Sequence, residues 1–148
     1  MAEPFRILLV DDDETISQIL VEALRRHGYE DVSWEPDGRR GVEAYRALRP
    51  DLVLMDITMP LMDGYEASCR IKAIDPNARI IVLTGNSGDP RARRILKEGV
   101  AECVIQKPIR LNELRALIER PASDVAADEP CTHSFQLAGK NAAFGSAF

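Results

Sequence analysis

Short apolar runs alternate along this chain with stretches whose apolar residues recur at helical spacing. Residues 5–10 form an aliphatic run between Pro4 and the acidic Asp11-Asp12-Asp13, and they read as a strand. After it, Ile16, Ile19, Leu20, Ala23 and Leu24 fall at i, i+3, i+4, i+7 and i+8, which predicts the buried face of a helix. Asp13 or Thr15 is placed to cap its start, and Gly28 marks its end. The alternation then repeats. Residues 32–35, 52–55, 80–83 and 103–106 read as strands, the run 52–55 continuous in apolar character, as a buried parallel strand requires. Between and after them lie helical stripes: Val42, Tyr45 and Leu48; Ala67, Ile71 and Ile74 after Gly64; Ala92, Ile95 and Leu96 up to Gly99; and Leu111, Leu114 and Ile118. Asp89-Pro90 supplies an N-cap followed by a first-turn proline.

Five βα units thus predict an α/β domain over residues 1–120, with helices on both faces of one parallel sheet. From Pro121 the periodicity stops and Pro, Ala, Ser, Asp and Gly dominate. Residues 121–148 are expected to form a flexible C-terminal tail, in which Phe135, Leu137, Phe144 and Phe148 are the residues suited to docking.

Composition changes the picture little. The 148 residues are 45% apolar and 29% charged, ordinary for a globular protein. A net charge of -5 speaks against binding nucleic acid through its phosphates, and Arg91, Arg93 and Arg94 read as a solvated helix face. No apolar run reaches the length of a membrane span, and the N-terminus lacks a signal-peptide pattern. Cys69, Cys103 and Cys131 are odd in number and widely spaced, so the expected setting is reduced and cytoplasmic.

Chemistry enters at the strand ends, where parallel α/β sheets bind ligands. Strand one ends in Asp11-Asp12, strand three in Asp56, strand four in Thr84 and strand five in Lys107-Pro108. Each has an ordinary reading on its own: a turn, a helix cap, a surface lysine. Their joint delivery to one edge is what counts. Carboxylates about 4 Å apart repel by about 4 kcal/mol per pair at an effective dielectric of 20, so they stay ionised together only around a cation. An all-oxygen site open on one side suits Mg2+. Mg2+ beside a lysine stabilises a transferring phosphoryl group, and an aspartate is an accepted nucleophile toward phosphorus.

The runs Ile7-Leu8-Leu9-Val10-Asp11-Asp12-Asp13, Asp51 through Pro60 with Met62-Asp63-Gly64, Val82-Leu83-Thr84-Gly85 and Lys107-Pro108 resemble the receiver domain of bacterial two-component response regulators, the CheY-like family. The resemblance covers about residues 5–120. It implies a flavodoxin-like, doubly wound (βα)5 fold with a five-stranded parallel sheet in the order 2-1-3-4-5. It also implies that Asp56 is the phosphoacceptor. Asp11, Asp12, Asp56 and the backbone carbonyl of Thr58 would then hold Mg2+, and Thr84 and Lys107 would bind phosphoryl oxygens. A cis bond would precede Pro108. The implied partners are a sensor histidine kinase or phosphotransfer protein and a downstream target, with a phosphorylation-dependent homodimer as a further expectation. No membrane or direct nucleic-acid contact is implied, and no catalysis beyond the chain's own phosphorylation and dephosphorylation. The expected responding face is the fourth helix, fifth strand and fifth helix. Two features depart from the family pattern. Strand five, Cys103-Val104-Ile105-Gln106, has no aromatic residue, and one residue more than usual separates Gly99 from Lys107.

Two other classes compete. A phosphatase of the haloacid-dehalogenase type uses similar groups, but needs a second aspartate two residues after the nucleophile, where this chain has Thr58. A docking module that is never phosphorylated would not need the acids, Thr84 and Lys107. His27 and His133 do not sit where a phosphorelay histidine would, so the phosphodonor is expected to be another protein.

Overall fold

The computed structural model describes residues 4–86 and 88–119; the expected C-terminal tail, with Phe135, Leu137, Phe144 and Phe148, lies outside the described residues. Strands and helices alternate along the chain: β1 Arg6–Val10, α1 Glu14–Arg26, β2 Asp31–Glu35, α2 Gly38–Leu48, β3 Leu52–Asp56, α3 Gly64–Ile74, β4 Ile80–Thr84, α4 Pro90–Lys97, β5 Cys103–Gln106 and α5 Leu111–Ile118. The strands form one sheet in the order β2-β1-β3-β4-β5, and every pairing is parallel. The expected order and connectivity both hold.

Strand composition follows from position in the sheet. β3 and β4 are central, and all of their residues are buried, which explains their unbroken apolar runs. β2 lies at an edge and reads Asp-Val-Ser-Trp-Glu, with only Val32 fully buried. Successive side chains leave opposite faces. Leu8, Val10, Val53, Met55, Ile80, Val82 and Val104 therefore pack with residues of α2, α3 and α4. Ile7, Leu9, Leu52, Leu54, Ile81, Leu83, Cys103 and Ile105 pack with α1 and α5 on the other face.

The helix caps share a geometric consequence. Each helix follows the end of a parallel strand, so its N-terminus lies at the carboxyl edge of the sheet. Asp13, Asp37, Asp63 and Asp89 cap α1 to α4 there, each accepting a backbone N–H with its side chain. Gly28 follows α1 at φ +98, a conformation that glycine takes without a Cβ penalty.

One expected stripe is displaced. Ile16 and Ile19 are 44% and 62% exposed, while Ser17, Leu20, Val21 and Leu24 form the buried face of α1. The helix carries two overlapping apolar rows that share Leu20 and Leu24. The row holding the small Ser17 faces the sheet, which lets the start of α1 lie close to it. Leu48 and Ile74, also expected inward, sit at helix ends and are only partly buried.

Candidate functional site

Asp11 follows directly on β1, and its backbone is held from β2. Its N–H donates to Glu35 O at 3.1 Å, and its carbonyl accepts Trp34 Nε1 at 2.8 Å. The residue is 2% exposed, and its side chain is held just as closely. Oδ1 accepts the Asp13 N–H at 2.9 Å and Oδ2 accepts Lys107 Nζ at 3.0 Å. Asp12 beside it is exposed.

Asp56 is the last residue of β3 and is 5% exposed. The chain leaves it under constraint, because Ile57 N–H donates to Leu83 O and Gly64 N–H returns to Ile57 O, both at 2.9 Å. Gly64 lies so near that an added Cβ would stand 2.1 Å from the Asp56 carbonyl oxygen. No other residue type fits there without moving the strand end. The Thr58 N–H approaches Asp56 Oδ1 at 3.5 Å, at the outer limit of a hydrogen bond.

Lys107 follows β5, and the Lys107-Pro108 bond is cis as expected. Its amine lies 3.0 Å from Asp11 Oδ2 and 3.6 Å from Asp56 Oδ1, so one ammonium bridges two buried carboxylates. Burial works against its charge, yet the hydrogen bond it donates to Asp11 and the charges of Asp56 and Asp11 outweigh this and raise its pKa. Thr84 ends β4 and is 1% exposed. Its hydroxyl closes a local turn, donating to Asn86 O and accepting Asn86 N–H, each at 3.0 Å.

The fold thus brings Asp11, Asp12, Asp56 and Lys107 together and sets Thr84 on the neighbouring strand end. Burial pushes the Asp56 carboxyl up to about 7; the charge of Lys107 opposes this and that of Asp11 adds to it. One lysine does not neutralise the cluster, which therefore favours a further cation. One ligand oxygen each from Asp11, Asp12 and Asp56 lie within 4.8 Å of one another, a set that could hold a metal ion. Around an octahedral Mg2+ with bonds of about 2.1 Å, ligand oxygens stand about 3 to 4 Å apart. The all-oxygen donors match the chemistry of such an ion.

Arg91 is a residue that sequence reasoning placed on a solvated face. Its guanidinium instead reaches Asp89 Oδ2 at 2.7 Å, Asp63 Oδ2 at 3.2 Å and Thr58 Oγ1 at 3.0 Å. Trp34 was also passed over. No local pattern marks either role: Asp89 is two positions from Arg91, but Asp63 and Thr58, and Asp11 for Trp34, are 23 to 33 positions away.

Comparison with known proteins agrees with this geometry. Residues 7–119 match the response regulator receiver domain. The chemotaxis protein CheY of Thermotoga maritima is 37% identical over 110 residues, spanning 73% of this chain and 92% of that protein. Among solved structures, the CheX-CheY-BeF3-Mg2+ complex from Borrelia burgdorferi gives a TM-score of 0.71 at 29% identity, covering 78% of this chain and 87% of that one. The response regulator TrrA of Thermotoga maritima with Mg2+-BeF gives 0.68 at 30% identity, covering 77% and 96%. With its fold, its strand-end acids and its sequence all in agreement, this chain belongs to the response regulator receiver domain family.

Proposed function

We propose that the chain is a phosphorylation switch in which Asp56 accepts a phosphoryl group from a sensor histidine kinase or phosphotransfer protein, changing its affinity for a downstream partner. Receiver domains take phosphoryl groups from histidine kinases and act on downstream targets. The observation that carries the reading here is the Asp56 carboxylate, 5% exposed, beside Asp11 and 3.6 Å from the Lys107 amine. In this reading the receiver spans residues 1–120; residues 121–148 lie outside the described residues. No helix among the described residues is long and apolar enough to cross a membrane.

In this account an Asp56 carboxylate oxygen attacks phosphorus, the bond from phosphorus to the donor nitrogen breaks, and an aspartyl phosphate forms. Asp11, Asp12, Asp56 and the Thr58 carbonyl would hold Mg2+, which when bound would supply positive charge beside the phosphoryl oxygens. Asp11 is the fixed member of this set, held on its backbone by Glu35 and Trp34. Lys107 pairs with one phosphoryl oxygen and gives up part of its contact with Asp11. Thr84 turns its hydroxyl to another oxygen and leaves Asn86.

The magnitudes decide what kind of switch results. Moving a two-state equilibrium from 1:99 to 99:1 takes about 5.5 kcal/mol. Two charge-assisted hydrogen bonds at about 1.5–3 kcal/mol each approach that figure. Both donors already have partners, however, so the net gain is smaller. The expected response is a graded shift of population.

The test is intact-mass spectrometry after incubation with a small phosphodonor such as acetyl phosphate and Mg2+. The wild-type chain gains one phosphoryl group and Asp56→Asn gains none; an adduct of equal yield in Asp56→Asn overturns the assignment.

A further inference from the structure

We propose that Arg91 is a positioning residue that couples the state of Asp56 to α4, in place of the aromatic side chain that β5 lacks. The inference rests on Asp56 being the phosphoacceptor. β5 presents Cys103, Val104, Ile105 and Gln106, none of them aromatic. A continuous hydrogen-bonded path is present instead. Thr84 Oγ1 donates to Asn86 O at 3.0 Å, and the same oxygen accepts the Asp89 N–H at 3.0 Å. Asp89 is 7% exposed, caps α4, and accepts Arg91 Nη2 at 2.7 Å and Nε at 3.1 Å.

Arg91 closes the circuit. It donates to Asp63 Oδ2, and the other oxygen of Asp63 caps α3 through Glu66 N–H at 2.9 Å. It also donates to Thr58 Oγ1, two residues beyond the acceptor. One planar guanidinium therefore ties the capping carboxylates of α3 and α4 to the loop that leaves Asp56. A lysine, with a single point of charge, cannot hold that fork. When Thr84 turns toward a phosphoryl group, Asn86 O loses one of its two donors, and the first turn of α4 is released on that side. Arg91 then determines whether α4 moves with the loop after Asp56 or independently of it.

An Arg91 that only strengthens helix ends would change stability equally with and without the phosphoryl group. Coupling requires a difference between the two states. The experiment is hydrogen–deuterium exchange of α4 amides, with and without saturating beryllofluoride and Mg2+, on the whole chain. Occupancy is read separately by fluorine NMR of bound beryllofluoride. The wild type, Arg91→Gln and Asp63→Asn are compared. Asparagine still caps α3 but weakens the hold on Arg91, so Asp63→Asn carries the test if Arg91→Gln does not fold.

The expected result is bound beryllofluoride in all three and a change in α4 exchange in the wild type. That change is largely lost in Arg91→Gln and reduced in Asp63→Asn. An undiminished α4 response in the variants overturns the coupling while leaving the acceptor reading intact. Absence of bound beryllofluoride in the wild type overturns the acceptor reading, and the coupling with it.

Discussion

Burial raises the pKa of Asp56, the negative charge of Asp11 adds to the rise, and Lys107 opposes it, leaving the group at about 7 without a divalent ion. The folded chain holds the Asp56 proton more tightly than the unfolded chain, whose value is near 3.8. The contribution is therefore fully present below the unfolded value and is lost as pH rises through the folded one, at about 1.4 kcal/mol per pH unit across the interval. Asp56→Asn, which cannot ionise, is expected to be more stable than the wild type at pH 8 in EDTA and to lose that advantage near pH 4. Denaturant titrations at the two pH values check this, and equal stabilities at pH 8 contradict it. Gly64 is the other residue whose identity is set by the site. An alanine Cβ would stand 2.1 Å from the Asp56 carbonyl oxygen, and that neighbour is backbone, which cannot rotate away. Gly64→Ala is expected to cost on the order of 1–3 kcal/mol and to lower the rate of phosphorylation. An unchanged urea midpoint would contradict the packing argument.

Elements differ in how far the sequence defines them. The central strands were legible because burial on both faces leaves no polar position before their last residues, Asp56 and Thr84, and the caps of α1 and α4 because Asp13 and Asp89 stand just before their helical patterns; the capping roles of Asp37 and Asp63 emerged only from the structure. The orientation of α1 was not. Its two apolar rows share Leu20 and Leu24, and only the contact with the sheet selects Ser17 and Val21 over Ile16 and Ile19. Long-range ion pairs were equally invisible. Arg79, just before β4, meets Glu102, just before β5, through two bonds of 2.9 and 3.0 Å, and also donates to Leu117 O at 3.0 Å near the end of α5. Their side chains are 16% and 5% exposed, so this pair fixes three elements from inside the protein. Removing one partner of a buried pair strands the other's charge. Glu102→Ala is accordingly expected to cost about 3–5 kcal/mol, measured by denaturant unfolding. A loss within the range of a surface pair, about 1 kcal/mol or less, would show that the pair is screened.

Across the whole molecule, the parallel order of five strands turns residues more than 90 positions apart into neighbours, as with Lys107 and Asp11. Asp11, Asp12, Asp56, Thr84 and Lys107 could be found in the sequence because each ends or follows a strand, and the fold brings all strand ends to one edge. Arg91 could not, because its three acceptors converge only once α3 and α4 are docked. The central claim is that the buried acids and Lys107 make Asp56 reactive toward phosphorus only when a divalent ion joins them. The most direct test is the initial rate of phosphoryl adduct formation from acetyl phosphate, followed by intact mass as Mg2+ is titrated from EDTA upward. The account predicts a rate that is near zero in EDTA, saturates with Mg2+ and is abolished in Asp12→Ala at the Mg2+ concentration that saturates the wild type. A wild-type rate in EDTA equal to that in Mg2+ would contradict it.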